Sequence, residues 1–345
     1  MARIGVDGLM ISPDGKGHAR SERHAVEALA ARGEHELVVF VREEVPLEAV
    51  ETVRVEALTL RWELEGVVRA AKEHRLEAFL SLSDRLPLAG GPPFVVWLFE
   101  SPLHRIRQNR ASGAPLRHLG SDAVTQLLWK RSLRRAAHVA FGSNATRDEV
   151  TARLPLGSTS VVHPGLPPGF SLGPARDRGR YVFHLGSNDP RDNTAAAVAA
   201  CRLAGARLLV AGGWSGEGAE ALGRVPDDEL VELYRGASVF LDPTLYEGFG
   251  YGVLEAMACG APVVASAVTS IPEVVGDAAI LCDPRSPQEL AAAVRRVLEE
   301  PGLAAAMRER GLAQAGRFTW SETGAGLSAA LERALPRPHP PTHRE

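Results

Sequence analysis

Short apolar stretches alternate with helix-periodic stretches along this chain, and proline and glycine break the alternation once. Strand candidates at residues 4–10, 37–41, 53–58, 78–82, 94–99 and 139–141 are separated by helix candidates at 18–32, 62–74 and 122–137, with a polar helix start at Ser143. Ala25, Val26 and Leu29 give the 18–32 segment one apolar side. Neighbouring parallel strands need a crossover that is usually a helix, so this order predicts parallel sheets with helices on both faces. The runs Pro164-Gly165-Leu166-Pro167-Pro168-Gly169 and Gly173-Pro174-Ala175-Arg176-Asp177-Arg178-Gly179 oppose regular structure and read as a linker. A second alternating set follows, with strands at 181–185, 208–211, 239–241 and 262–265 and helices at 194–203, 227–235, 251–258, 287–299 and 303–315. A last helix is expected at 320–335 and a proline-rich disordered tail at 336–345. At 345 residues the chain exceeds the usual single-domain size, and it divides into two similar α/β halves.

Composition narrows the function classes. A net charge of -3 argues against a dedicated nucleic-acid binder. The start, Met1-Ala2-Arg3-Ile4-Gly5-Val6-Asp7, shows no apolar leader, and no apolar run is long enough to span a bilayer. Cys201, Cys259 and Cys282 lack metal-ligand spacing and read as buried thiols of a reducing cytoplasm. Lys16, Lys72 and Lys130 are the only lysines, so the second half has none.

The stretch with the most chemistry is Tyr246-Glu247-Gly248-Phe249-Gly250-Tyr251-Gly252-Val253-Leu254-Glu255-Ala256-Met257-Ala258-Cys259-Gly260. Two carboxylates, Glu247 and Glu255, bracket a glycine turn that feeds an apolar helix. The amides of a helix's first turn lack intrahelical partners and carry partial positive charge, which suits a phosphate. Glycine permits close backbone approach, and Glu255 would lean back toward the same ligand. An ionised carboxylate is an acceptor for sugar hydroxyls. The bland alternative is a turn followed by a glutamate that merely suits the helix dipole.

These residues, with their flanks, resemble retaining glycosyltransferases of family 4 (glycosyl transferases group 1), which have the GT-B fold. The resemblance runs from Val225-Pro226-Asp227 through Tyr234-Arg235-Gly236-Ala237-Ser238 and Glu247-Gly248-Phe249-Gly250 to Pro272-Glu273-Val274-Val275-Gly276-Asp277-Ala278 and Asp283-Pro284. In the first half it rests on Gly15-Lys16-Gly17-His18-Ala19-Arg20, Phe141-Gly142-Ser143-Asn144-Ala145-Thr146 and Val161-Val162-His163-Pro164-Gly165. It implies two Rossmann-like parallel-sheet domains facing a cleft. Residues 1–168 would be the acceptor domain and 178–318 the nucleotide-sugar domain, with a helix at 319–335 crossing back to the first.

The resemblance also assigns roles. Glu247 would face the donor sugar and act in catalysis, and Glu255 would bind ribose. Gly186, Ser187, Gly248, Phe249, Gly250 and Tyr251 would line the donor, while Gly15, Lys16, Gly17 and Glu100 would serve the acceptor or cleft. Neither a metal nor a cofactor is implied, and the chain lacks an evident Asp-x-Asp motif. The reaction implied is sugar transfer from a nucleoside diphosphate sugar, GDP-mannose-like or UDP-linked, to a hydroxyl acceptor with retention of anomeric configuration. The acceptor proton would pass to the leaving phosphate oxygen. Polysaccharide or glycoconjugate synthesis in the cytoplasm is the implied context.

Two positions depart from the pattern. In Gly186-Ser187-Asn188-Asp189-Pro190-Arg191-Asp192-Asn193, Asp192 stands where the family usually has lysine, leaving Arg191 as the candidate phosphate clamp and Arg224 as a weaker one. Phe99 stands where many members carry histidine, with Glu100 keeping a carboxylate; His104 is near in sequence but displaced. Loss of one preorganised charge partner can cost about 2.7–4 kcal/mol of transition-state stabilisation. Three readings remain open: Arg191 and the helix N-terminus suffice, Lys16 reaches the donor, or the chain is a weakly active or inactive nucleotide-sugar-binding partner subunit. A basic segment at 104–118 precedes a helix bearing Leu127, Leu128, Trp129, Lys130, Arg131, Leu133, Arg134 and Arg135. It reads as a helix packed by one face with arginines in water, or as a peripheral face for the inner membrane surface and a lipid-linked acceptor.

Overall fold

The computed structural model describes residues 1–12, 18–56, 61–83, 86–87, 89–101, 116–174 and 179–336. The expectations for Gly15, Lys16, Gly17, His104 and the tail from 337 lie outside the described residues.

The first unit comprises Met1–Gly142, Arg147–Pro164 and Trp320–Glu345. Its sheet contains β1 (Ala2–Asp7), β2 (His35–Val41), β3 (Glu51–Arg54), β4 (Ala78–Ser81), β5 (Phe94–Leu98), β6 (His138–Phe141) and β7 (Thr159–Val161). The strand order is β3-β2-β1-β4-β5-β6-β7, and every pair is parallel. Helices are α1 (His18–Ala30), α2 (Val67–Glu73), α3 (Leu116–Arg135) and α4 (Asn144–Thr151), the last shared with the second unit. A π-helical turn, Trp62–Gly66, opens the segment expected to be α-helical throughout. A Cβ on Gly66 would lie 2.6 Å from the Trp62 ring, so glycine makes room for the buried indole.

β5 shows why the sheet is covered on both faces. Val95 and Trp97 join one apolar cluster, while Phe94, Val96 and Leu98 join the other. A strand that is apolar at every position can bury both sides only between two layers.

The second unit comprises Ser143–Thr146 and Gly165–Thr319. It contains β8 (Val182–Leu185), α5 (Thr194–Ala204), β9 (Leu208–Ala211), β10 (Glu220–Gly223), α6 (Asp227–Gly236), β11 (Val239–Asp242) and α7 (Tyr251–Ala258). β12 (Val263–Ser266), α8 (Ile271–Val275), β13 (Ala279–Cys282), α9 (Pro287–Glu299) and α10 (Pro301–Ala315) follow. The parallel sheet runs β10-β9-β8-β11-β12-β13. In each sheet the first strand, β1 or β8, sits where the winding reverses, and the carboxyl end of such a strand borders a ligand crevice.

The last helix, α11 (Trp320–Ala334), returns to the first unit, as expected. Leu327, Ala330 and Leu331 enter the first unit's core, and Thr323 Oγ1 donates to the His163 carbonyl at 2.8 Å. The fold is thus two Rossmann-like parallel-sheet units with a C-terminal helix returning to the first. Among the described residues no helix is long and apolar enough to cross a membrane.

Candidate functional site

Helix α7 starts at Tyr251, directly after the glycine turn. Gly250 is its N-cap, with φ of 105°, a left-handed conformation that glycine adopts without steric penalty. Gly248 and Phe249 are buried beneath this turn, and Glu247 is half-buried at its entrance. Glu255, in the second turn of α7, is only 2% exposed and accepts a hydrogen bond from the Tyr234 hydroxyl of α6 at 3.2 Å. Full burial, aided by the neighbouring Glu255 carboxylate, pushes the Tyr234 phenol well above its ordinary pKa, so it remains a donor that fixes the Glu255 rotamer.

The turn is held from behind by hydroxyls that sequence reasoning had not singled out. Ser143 Oγ donates to the Gly248 carbonyl at 2.8 Å, and Thr146 Oγ1 lies 3.3 Å from the same oxygen. Ser270 Oγ donates to the Glu247 carbonyl at 2.9 Å, and the Glu247 amide donates to Thr269 Oγ1 at 3.1 Å. Glu273 of α8 accepts the Asn144 amide at 2.9 Å and its Nδ2 at 2.5 Å. The sequence signal was present in the quoted Gly142-Ser143-Asn144-Ala145-Thr146 and Pro272-Glu273 runs, but more than a hundred residues separate them from one another.

The 186–193 loop follows β8 and is tied to the same turn. The Arg191 carbonyl accepts the Leu245 amide at 2.7 Å and Thr244 Oγ1 at 3.0 Å. Asn193, at φ 52°, donates through Nδ2 to the Pro243 and Pro284 carbonyls at 2.9 Å each. Gly186 is required by crowding: a Cβ would sit 2.2 Å from His184 Nε2 and 2.5 Å from Thr194 Oγ1. His184 is fully buried, with Nδ1 2.9 Å from the Leu241 carbonyl. Burial pushes its pKa down to about 4, so the ring is neutral and Nδ1 carries the proton.

The candidate cation is engaged within its own loop. Arg191 Nη2 and Nε lie 3.0 and 3.1 Å from Asp189 Oδ2, and the Arg191 amide donates to Asp189 Oδ1 at 2.9 Å. Ser187 Oγ donates to Asp192 Oδ2 at 2.5 Å, so the residue at the lysine place is an acceptor that orders the loop. Asp242, closing β11 beside β8, is a further carboxyl that the sequence reading missed. Burial, aided by the charge of Asp192, pushes its pKa up to about 7. Arg224 is exposed beyond β10, the far edge of the sheet.

In the first unit, Phe99 is a core ring, 6% exposed and packed on Trp97 with centroids 4.3 Å apart. Glu100 follows it, half-buried. Asp7 closes β1 at the reversal point of this sheet, buried beside Glu22 of α1. The second-unit candidates Gly186, Ser187, Arg191, Glu247, Gly248, Phe249, Gly250, Tyr251 and Glu255 therefore share one end of one sheet, while Glu100 belongs to the first unit.

Residues 215–314 match the family model of Glycosyl transferases group 1, a stretch that contains the turn, both glutamates and Glu273. The O-antigen chain mannosyltransferase B of Escherichia coli is 38% identical over 161 residues, covering 41% of this chain and 42% of that protein. The D-inositol 3-phosphate glycosyltransferase of Mycolicibacterium smegmatis is 32% identical over 212 residues, covering 51% and 47%. The chain thus spans under half the length of these curated relatives. Sucrose-phosphate synthase from Thermosynechococcus elongatus superposes over 96% of this chain and 99% of its own, with TM-score 0.77 and 18% identity. HepE of Anabaena, solved in complex with UDP and glucose, covers 96% and 100%, with TM-score 0.70 and 18% identity. The fold is that of the GT-B glycosyltransferases.

Proposed function

We propose that the chain is a retaining, metal-independent glycosyltransferase of family 4 that moves a hexosyl group from a nucleoside diphosphate sugar to a hydroxyl acceptor. The observation that carries this is the Glu247–Gly250 turn opening α7, with Glu255 fixed one turn further on and the 186–193 loop bonded to it. In this reading the α7 N-terminus and Arg191 meet the donor diphosphate. A carboxylate has several acceptor sites, so Glu255 can serve Tyr234 and the ribose diol together. Glu247 faces the donor sugar and stabilises positive charge that develops at the anomeric carbon. The acceptor proton passes to the departing phosphate oxygen, which avoids a separate protein base. Gly15, Lys16, Gly17 and Glu100 serve the acceptor side. The mannosyltransferase among the relatives and the UDP complexes among the structural neighbours make GDP-mannose and UDP-sugars the donors to test first. A hydroxyl acceptor on a growing glycan or lipid carrier, met at the cytoplasmic face of a membrane, fits the same reading.

A second reading is favoured by one observation: Arg191 is already paired with Asp189 while Asp192 stands at the lysine place. A partner subunit that binds nucleotide sugar without turnover would look the same. Donor hydrolysis and transfer across a panel of nucleotide sugars separate the two. The transferase reading expects turnover of at least one donor and a loss of roughly 10²-fold or more in Glu247→Ala, with UDP or GDP affinity retained. Nucleotide binding without turnover selects the partner subunit; absence of both removes the nucleotide-sugar reading.

A further inference from the structure

The hydroxyls behind the glycine turn do more than fill space. A trans peptide places the carbonyl of one residue and the amide of the next on opposite sides of the same plane. No peptide among the described residues is cis, so the Phe249 N–H points away from Ser143 and Thr146, and the Gly248 N–H points away from Ser270. Ser143 and Ser270 are 0% exposed and Thr146 is 3% exposed, so the carbonyls are clamped by buried hydroxyls. Both amides point away from those hydroxyls, directly ahead of the first turn of α7. Successive amides turned to one side form an anion-binding concavity.

The clamp itself is braced. Ser143 Oγ also accepts the Thr146 amide at 3.1 Å, which caps α4, and Glu273 anchors Asn144 at the same helix start. Ser143 Oγ and Thr146 Oγ1 also lie 3.0 Å apart, so the two hydroxyls form one hydrogen-bonded cluster at the Gly248 carbonyl. Glycine on both sides of Phe249 would otherwise let these peptide planes rotate at little steric expense.

We propose that Ser143, Thr146 and Ser270 are positioning residues that lock the Gly248 and Phe249 peptide planes so that their amides meet the donor's diphosphate. This deepens the transferase reading and rests on the turn being the donor site. The test is calorimetric binding of UDP and GDP, each beside its monophosphate, to wild type, to the Ser143→Ala/Thr146→Val double variant and to Thr146→Ser. Thermal melting of the unliganded proteins runs in parallel. The double variant is expected to lose about tenfold or more in diphosphate affinity, with monophosphate affinity changed less than about threefold. Its melting temperature should stay within a few degrees of wild type, and Thr146→Ser, which keeps the hydroxyl, should bind as wild type does. Retained diphosphate affinity, or an equal loss for both nucleotides, overturns the clamp while leaving the donor-site reading standing. A wild-type protein that binds neither UDP nor GDP overturns both.

Discussion

Arg191 carries the electrostatic question of this site. Its guanidinium is about one-third exposed and faces Asp189 through two nitrogens. Partly exposed ion pairs of this kind are worth at most about 1 kcal/mol, so a diphosphate can compete for the arginine. The competition still lowers donor affinity, because the pair must be loosened first. Asp189→Asn keeps an acceptor for the Arg191 amide while removing the charge. It should tighten UDP or GDP binding by up to about fivefold, as measured by calorimetry. Unchanged affinity would show that Arg191 is not the clamp. Arg191 was legible as a candidate because the loop follows the first strand of its set. Its capture by Asp189 was not, since two residues apart in a loop can face each other or not, depending on backbone bends. Phe99 teaches the converse: the substitution was legible, but its burial against Trp97 follows only from the packing of β5.

At the scale of elements, long periodic helices and the two-sided apolar strands were readable, while short or edge pieces were not. β10 is four largely exposed residues at a sheet edge, and β7 is three residues without buried apolar alternation. Their pairing comes from a neighbour rather than from their own pattern. α8 is a five-residue helix whose importance lies in Glu273 and in the preceding N-cap residue Ser270, not in its apolar content. The α11 helix was expected to return to the first unit, and its docking depends on close backbone approach. A Cβ on Gly324 would lie 2.6 Å from the Ala28 carbonyl oxygen of α1. Gly324→Ala should force the two helices apart and destabilise the first unit by about 1–3 kcal/mol, seen as a lowered urea midpoint. A wild-type midpoint would mean that α1 and α11 do not meet at this contact.

At the scale of the molecule, both sheets place a carboxyl beside the point where winding reverses: buried Asp7 closes β1, and half-buried Asp242 closes β11 next to β8. Burial pushes the Asp7 pKa from 3.8 up to about 6, against hydrogen bonds from Ser83 and the Leu9 amide and the charge of Arg42. Glu22 beside it is raised well above its ordinary value, by burial and by Asp7. A raised carboxyl binds its proton more tightly in the folded state. Between about pH 4 and 6 the unfolded chain therefore releases that proton first, and stability falls as pH rises through this window. Asp242 extends the fall toward about 7. Asp7→Asn removes the charged form and keeps an acceptor for the Leu9 amide. It should stabilise the protein by about 1–3 kcal/mol near pH 7.5 and change little near pH 4. Equal melting shifts at both pH values would mean that Asp7 is not held away from water.

The sequence by itself determined the alternation of strands and helices, the break near Pro164, the helix start at Tyr251 and the pairing of Glu247 with Glu255 across a glycine turn. These are local: each follows from side-chain period, backbone freedom or capping within about a dozen residues. Only the tertiary structure decided what stands behind that turn. Ser143 and Gly248 are 105 positions apart, and Asn144 and Glu273 are 129 apart. No local pattern encodes a hydrogen bond over such separations; it exists because parallel strands and their crossovers bring distant loops to one end of a sheet. The same assembly set the charge of the site, since burial at the sheet ends, rather than residue type, raised Asp242 and Asp7 and kept His184 neutral.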